Sequence, residues 1–262
     1  IKTKEEGKKM NITILTGSAR KGGNTEIMAE TFKKGAMEAG HEVTIINTTQ
    51  KNVSGCIGCK YCFTHQGECV QKDDMAEILE VLDKTDVLVF ASPIYWFDIT
   101  GQLKCVIDRM YARGIVGFNF NKTALLLNSG ADGVFNAAIS QYKAMTSYLK
   151  WEDLGIITIP GMIAKGSIKS SPKLNDVYEL GKSLGMTDNI RDYSDFVCLW
   201  LAANCQYSSK EEYTANDRTA YGALIQHEAI CIGYANAYQY LMGYAGYETA
   251  LVLGIYNGEK EV

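Results

Sequence analysis

The chain has 262 residues, of which 47% are hydrophobic and 21% are charged, a composition typical of folded globular proteins and not of disordered ones. Its 26 basic and 30 acidic side chains give a formal net charge of −4, which argues against general binding to nucleic acid or to anionic membranes. No stretch approaches the roughly 20 uninterrupted apolar residues of a membrane span, and the first ten residues are charged and lack the apolar segment of a secretory signal. We therefore expect a soluble, cytoplasmic protein with an N-terminal extension over residues 1–9.

Short apolar runs alternate with segments of helical periodicity from Asn11 onward, which is the pattern of βαβ units. The predicted strands cover residues 11–16, 43–47, 86–91, 123–128 and 155–160. The predicted helices cover residues 25–40, 73–82, 101–114, 134–150 and 172–184. This order predicts a doubly wound α/β domain, with a five-stranded parallel sheet, over residues 10–186.

The loop after the first strand, Gly17–Thr25, combines glycines with hydrogen-bond donors. Glycines let the backbone approach a ligand, and the start of the following helix offers unpaired N–H groups to an anion. Ser18, Asn24 and Thr25 can donate hydrogen bonds and Arg20 adds a charge-assisted contact, which together suit a terminal phosphate. The loop matches neither the dinucleotide pattern G-x-G-x-x-G nor the P-loop pattern. A glycine-rich turn without a ligand is the alternative.

Two later loops follow predicted strands at their carboxyl ends, where open α/β sheets bind ligands. One holds Ser92–Phe97 and the other holds Asn128–Gly133. The aromatic triplet at residues 95–97 is expensive to expose unless a flat apolar ligand covers it. Packing of the triplet into a local core is the alternative.

The segments GSARKGGNT, SPIYWFDITGQLKCVIDR and LLLNSGAD resemble the three FMN-contacting segments of the flavodoxin-like NADPH-dependent FMN reductase family. The resemblance covers residues 10–186 and implies a flavodoxin-like fold, bound FMN, NADPH or NADH as co-substrate, and a homo-oligomer. It implies that the FMN phosphate contacts Ser18, Arg20, Asn24 and Thr25. It also implies an isoalloxazine flanked by Pro93, Ile94, Tyr95, Trp96 and Phe97, in a pocket completed by Ser129 and Gly130.

Four cysteines fall within one predicted loop, the cysteine loop (residues 56–69): Cys56, Cys59, Cys62 and Cys69. Short C-x2-C spacing places thiolates around a compact cubane, as in bacterial ferredoxins, although here the fourth cysteine is more distant and no proline follows it. The motif resembles that of the iron–sulfur flavoproteins, a branch of the same family that carries a [4Fe-4S] cluster beside FMN. Zinc and free thiols are the alternatives.

After a turn-rich stretch at residues 185–188 the pattern becomes helical, over residues 193–205 and 220–246. Segments 204–207, 219–224 and 231–237 resemble the core of transglutaminase-like cysteine enzymes. In that family a cysteine at the position of Cys231 is the nucleophile, and its histidine and aspartate partners come later in the chain. Because no histidine follows His227, we expect residues 187–262 to be a truncated, inactive, mainly helical segment with Cys231 buried at the start of a helix.

These observations predict an NAD(P)H-dependent FMN-binding oxidoreductase that transfers a hydride from reduced nicotinamide to flavin. Electrons would then pass through the four-cysteine site to a small-molecule acceptor or a redox protein. The redox chemistry belongs to the cofactor, so no catalytic acid or base is required. The alternatives are an FMN electron carrier without nicotinamide turnover, a flavin-bound regulatory module, and, in a different class, a cysteine acyltransferase or protease at Cys231.

Overall fold

The computed structural model describes residues 9–185, 190–209, 214–244 and 249. The chain divides into two compact units, Ile1–Gly185 and Met186–Val262. The predicted extension over residues 1–9 lies outside the described residues, apart from Lys9. No helix in the described part of the chain is long and apolar enough to cross a membrane.

The first unit alternates strands and helices. Its strands are β1 Asn11–Thr16, β2 Glu42–Asn47, β3 Val87–Pro93, β4 Lys122–Asn128 and β5 Glu152–Ile159. Its helices are α1 Asn24–Glu38, α2 Tyr61–Thr64, α3 Met75–Leu82, α4 Gly101–Arg109, α5 Tyr111–Gly114, α6 Asn136–Leu149 and α7 Lys173–Lys182.

All five strands pair in parallel in the order β2-β1-β3-β4-β5. This is the flavodoxin-like strand order, in which the chain first builds outward from β1 to β2 and then crosses to β3. The predicted doubly wound, five-stranded parallel sheet is therefore confirmed. The order also brings the loops that follow β1, β3, β4 and β5 to one edge of the sheet.

Alternating side chains of the central strands form two hydrophobic layers, one on each face of the sheet. Leu88 and Phe90 of β3 point into the layer covered by α3, α4 and α6. Val87 and Val89 of the same strand point into the opposite layer, which α1 and α7 cover. Every residue of β3 is buried, which explains why its sequence is a continuous apolar run up to Ser92.

Two glycines allow α1 and α7 to approach backbone to backbone. A Cβ atom on Gly35 would lie 2.1 Å from the Tyr178 carbonyl oxygen, and one on Gly181 would lie 2.3 Å from the Phe32 carbonyl oxygen. Any larger residue at either position would therefore force the two helices apart.

In the first unit, two predicted elements differ from the structure by more than two residues at an end or by a division. The helix predicted over residues 101–114 is two helices, because the Met110 amide is shared between the Val106 and Ile107 carbonyl oxygens, at 3.0 and 3.2 Å, and the chain turns there. Strand β5 begins at residue 152 and not 155. Its pairing with β4 shifts register near Gly155, where φ is +151°, and this irregularity hides the start of the strand in the sequence.

The second unit is mainly helical, as predicted. It contains α8 Ile190–Asn204, β6 Gln206–Tyr207, β7 Glu228–Ala229 and α9 Cys231–Tyr244, and β6 pairs with β7 in parallel. The predicted helix over residues 220–246 is interrupted: a turn of π-helix at Gly222–Gln226 ends at His227, whose φ of 59° is left-handed. The last part of that prediction, residues 245–246, lies outside the described residues.

Candidate functional site

The loop between β1 and α1 forms a tight turn that exposes the start of the helix. Gly23 caps α1 without a side-chain hydrogen bond, so no side chain occupies the first amides of the helix. Gly22 has φ +65°, and a Cβ atom on Gly23 would lie 2.7 Å from the Arg20 carbonyl oxygen. The turn therefore requires small residues, and its unoccupied N–H groups suit an anion.

A cavity of about 240 Å³ opens beside this turn, at the carboxyl edge of the sheet. Nine of the eleven predicted cofactor residues line it: Ser18, Arg20, Asn24, Thr25, Pro93, Ile94, Tyr95, Ser129 and Gly130. The loops after β1, β3 and β4, which are far apart in sequence, thus meet at one site. Hydroxyls, helix amides and a guanidinium at one end form a donor set that fits a phosphate monoester.

Asn24 and Thr25 are buried, and their side chains also hold the site together. The Asn24 amide donates to the carbonyl oxygens of Met162 and Ala164, both at 3.0 Å, and its Oδ1 accepts from the Ile168 amide at 3.2 Å. The Thr25 hydroxyl accepts from Asn128 at 2.7 Å and retains its own hydrogen for donation. The Asn24 side chain therefore fixes a neighbouring segment, while Thr25 remains able to donate to a ligand.

Trp96 and Phe97 do not line the cavity; they form the tip of a tight turn beside it. The Tyr95 amide donates to the Asp98 carbonyl oxygen at 2.9 Å, and the two intervening residues have left-handed φ values of 48° and 71°. Trp96 is 93% exposed. The local-core alternative for the triplet is wrong, since the turn holds these rings outward in a costly backbone conformation, as is common at ligand sites.

Three further residues line the cavity: Asn128, which begins the predicted Asn128–Gly133 loop but was not predicted to contact the cofactor, and Met162 and Ile163, which were not predicted. The last two follow β5. The sequence could have indicated them, because all parallel strands of a sheet end at the same edge, so the loop after the fifth predicted strand lies beside the other ligand-site loops. Met162 is tied to the site through its amide, which donates to the Ser129 carbonyl oxygen at 2.8 Å.

The cysteine loop encloses a second cavity, of about 190 Å³, and all four predicted ligands line it: Cys56, Cys59, Cys62 and Cys69. Across residues 9–185, 190–209 and 214–244, no three side chains of His, Cys, Asp or Glu converge tightly enough to hold a single metal ion. A cubane differs in this respect, because each thiolate binds a separate iron at its own corner. Four soft donors around one cavity are a donor set that fits a [4Fe-4S] cluster.

A buried ion pair lies beneath the cysteine loop. Arg109 is 1% exposed and forms a two-pronged contact with Asp73, at 2.7 and 3.0 Å. Burial alone would lower the pKa of Arg109, but its hydrogen bonds and attraction to Asp73 and to Cys69 outweigh burial and raise that pKa. Burial would raise the pKa of Asp73, but the hydrogen bonds from Arg109 and from the Ser54 and Met75 amides, together with the Arg109 charge, outweigh burial and lower that pKa. Both groups therefore remain charged.

The other reactive side chains lie elsewhere. Cys105 is half-buried on α4. His65 is exposed and stacks on Tyr61 with ring centroids 3.5 Å apart. The prediction that Cys231 is buried is wrong: it begins α9 and is exposed, because Gly233 and Ala237 occupy the inward face of that helix.

Comparison with known proteins gives two family matches. Residues 10–166 match the NADPH-dependent FMN reductase family, and residues 180–262 match the transglutaminase-like superfamily. An iron-sulfur flavoprotein of Archaeoglobus fulgidus is 29% identical over 176 residues, which are 63% of this chain and 77% of that protein. An iron-sulfur flavoprotein of Methanosarcina thermophila is 31% identical over 169 residues, which are 64% of this chain and 86% of that protein.

Among solved structures, the NAD(P)H:quinone oxidoreductase of Methanothermobacter marburgensis matches with a TM-score of 0.56 and 20% identity, over 68% of this chain and 96% of that one. At this identity the likeness shows the fold alone. The family match covers more than half of the chain and includes all three ligand-site loops. The chain therefore belongs to the NADPH-dependent FMN reductase family, a family of flavoprotein oxidoreductases.

Proposed function

We propose that this protein is an NAD(P)H-dependent FMN oxidoreductase that passes electrons onward through a [4Fe-4S] cluster. The observation that carries the proposal is the pair of cavities in the first unit, one with a phosphate-binding loop and one with four thiols. Family membership supports the flavin, and the relatives named iron-sulfur flavoprotein support the cluster.

The residues at the first cavity hold and orient the flavin. Arg20, Ser18 and Thr25, with the first amides of α1, bind the phosphate. Pro93 and Tyr95 would flank the isoalloxazine, and Ser129 and Gly130 would complete its pocket. FMN, when bound, supplies the hydride-accepting chemistry, and the protein supplies the geometry.

Reduced nicotinamide is the proposed electron source. The exposed rings of Trp96 and Phe97 follow the cavity-lining Tyr95 in the chain and offer flat apolar surfaces to an incoming ring. Since the flavin carries the chemistry, a site that only stacks the nicotinamide suffices, and no acid or base is needed.

The cluster would be held by Cys56, Cys59, Cys62 and Cys69. It would supply single-electron transfer, which links a two-electron donor to a one-electron acceptor. We propose a small molecule or a redox protein as the final acceptor, in the cytoplasm.

We also propose that the protein is a homo-oligomer. An apolar groove of about 660 Å³ runs beside the cysteine loop, lined in part by Phe63, Tyr148 and Leu149. Tyr148 is 87% exposed. Association of copies over this groove would cover it. Sedimentation velocity of the wild type and of Tyr148→Glu tests this: the wild type should sediment as an oligomer and the variant as a smaller species.

The main proposal is tested by an absorption spectrum of protein purified without oxygen, followed by turnover of NADH and NADPH with a dye acceptor. We expect flavin bands, a broad shoulder that bleaches with dithionite, and turnover with at least one nicotinamide. Flavin bands without turnover would make the protein an electron carrier or a regulatory module. A colourless protein that does not bind added FMN would overturn the proposal.

A further inference from the structure

The two ends of the cysteine loop lie side by side. Asn52 and Asp74 exchange two hydrogen bonds: the Asn52 amide donates to the Asp74 carboxylate at 2.7 Å, and the Asp74 amide donates to the Asn52 carbonyl oxygen at 3.1 Å. The Gln71 side chain donates to the Gly55 carbonyl oxygen at 3.1 Å. The segment that carries all four cysteines thus leaves and returns to the domain at one place.

The Arg109 guanidinium forms hydrogen bonds to both of these ends. Its Nη1 donates to the Ser54 carbonyl oxygen at 2.9 Å, two residues before Cys56, and its Nη2 reaches the Gln71 carbonyl oxygen at 3.4 Å, two residues after Cys69. Its partner Asp73 in turn accepts from the Ser54 amide at 3.1 Å. One guanidinium, fixed on a regular helix, therefore contacts both ends of a long irregular loop.

The Arg109 side chain also reaches the cavity that the cysteines share. It is one of the lining residues, and Cys69 lies beside its guanidinium. Its Nε is buried and has no hydrogen-bond partner within the described residues. A buried N–H group without a partner is costly, so its presence at the wall of a thiol cavity points to an acceptor that belongs there.

Arg113 provides a close comparison one helical turn further along. It pairs with Asp83, and its Nε is also buried and without a partner in the described part of the chain. Arg113 does not line the four-cysteine cavity, and its side-chain hydrogen bond within the described residues goes to Asp83 and not to either end of the loop. The position of Arg109, and not merely its pairing, is thus what connects it to the cysteines.

We propose that Arg109 is a positioning residue for the iron–sulfur site: it holds the cysteine loop closed around the four thiols and donates its Nε–H to sulfur in the cavity. The first half concerns the protein alone, and the second half rests on the proposed cluster. A cationic donor stabilises the more negative, reduced form of a cluster and so raises its reduction potential.

The closing role is tested on protein stripped of metal, by iodoacetamide alkylation of each loop cysteine followed by mass spectrometry. Arg109→Lys keeps the charge but loses the forked contacts, and Asp73→Asn keeps the size but loses the charge. We expect both variants to alkylate about tenfold faster than wild type at Cys62 and Cys69, which are half-buried, since the loop opens more often. Cys56 and Cys59 are already exposed and should react at the wild-type rate, as internal references. Arg113→Lys should alkylate at the wild-type rate. Equal rates in all four proteins would overturn the closing role.

The donor role is tested on protein that contains the cluster, by a redox titration followed by electron paramagnetic resonance. We expect Arg109→Gln to shift the oxidised-to-reduced ratio about tenfold towards the oxidised form, which for a one-electron couple is about 59 mV lower in potential. Arg113→Gln should leave the potential unchanged. A potential unchanged in Arg109→Gln would overturn the donor role. A wild type that takes up no iron would refute the proposed cluster and with it the donor role, while the alkylation rates would still decide the closing role.

Discussion

Arg20 and Thr25 both belong to the loop predicted to bind phosphate, but Arg20 is exposed and Thr25 is buried. Thr25 is 1% exposed and is anchored by Asn128, so its hydroxyl has a fixed direction. Arg20 is exposed and reaches the cavity from its rim. A buried, directed hydroxyl gives geometry, and an exposed guanidinium gives charge; together they select a dianionic group.

The double variant Arg20→Ala with Thr25→Ala should therefore bind FMN about 10- to 100-fold more weakly, because it loses hydrogen bonds to a charged group. Fluorescence titration of the stripped protein with FMN measures the change. Lys21→Ala is the matched control, since Lys21 is exposed in the same loop but does not line the cavity. An unchanged dissociation constant in the double variant would contradict the assigned pocket.

Tyr142 shows how a buried polar side chain is kept neutral. Its hydroxyl donates to Asp153 at 2.9 Å and lies 2.9 Å from the Thr123 hydroxyl. Burial, with the nearby Asp153 charge, raises the pKa of Tyr142, so the hydroxyl stays protonated over the whole physiological range.

Tyr142→Phe should cost about 1 to 2 kcal/mol of folding stability, because the Asp153 and Thr123 oxygens lose a partner. This corresponds to a fall of about 2 to 8 °C in the unfolding midpoint, measurable by circular dichroism. Tyr240→Phe, at an exposed tyrosine of α9 that does not line the proposed oligomer groove, should change the midpoint by less than about 1 °C. A similar fall in both variants would show that the buried network contributes nothing.

The sequence indicated which residues line the phosphate end of the cavity, but not all of their hydrogen-bond partners. The types of Ser18, Arg20 and Thr25 indicated phosphate binding, and the structure places them on one cavity. The same reasoning could not tell that the Asn24 amide is committed to carbonyl oxygens about 140 positions away. These hydrogen-bond partners depend on how α1 packs against the segment after β5. That packing is set by the folded sheet and not by the local sequence.

At the scale of elements, the glycine contact between α1 and α7 is a strict requirement. Gly181→Ala would place a methyl group 2.3 Å from a backbone oxygen, which cannot rotate away. We expect a loss of about 1 to 3 kcal/mol in the free energy of unfolding.

Chemical denaturation of Gly181→Ala measures this loss. Gly101→Ala is the control, because a Cβ atom there meets nothing within 4 Å and alanine favours the helix. Equal stability of Gly181→Ala and the wild type would mean that the helices can separate without cost.

Elements were predictable where periodicity was unbroken. The buried run of β3 and the amphipathic α3 were clear from the sequence, since each keeps its hydrophobic period from end to end. Local backbone irregularities were not predictable. The shared hydrogen bond of the Met110 amide and the positive φ values of Gly155 and His227 changed the bounds of three predicted elements. Such features arise from packing, which a periodic pattern does not record.

At the scale of the whole molecule, each unit has its own hydrophobic cluster. The second unit packs Leu201, Ala223, Ala237 and Met242 together, separately from the two layers of the sheet. Because each cluster is formed within one unit, the units should unfold in separate steps.

Differential scanning calorimetry should therefore show two transitions, and FMN should raise the midpoint of only one. At 100 times the dissociation constant, the ligand stabilises its unit by about 2.7 kcal/mol. At the same FMN concentration, the roughly 10- to 100-fold weaker binding of the double variant Arg20→Ala with Thr25→Ala should reduce that stabilisation to about 0.4 to 1.4 kcal/mol. A rise of both midpoints by equal amounts would contradict independent units.

The left-handed turn that holds Trp96 outward has a practical consequence for spectroscopy. The chain has three tryptophans, and Trp151 and Trp200 are both partly buried. Trp96, 93% exposed in the turn that follows the cavity-lining Tyr95, should emit at the red edge of the protein's fluorescence, where flavin absorption overlaps it. Its emission is therefore an internal gauge of whether the cavity is filled, and it can be read without any added label.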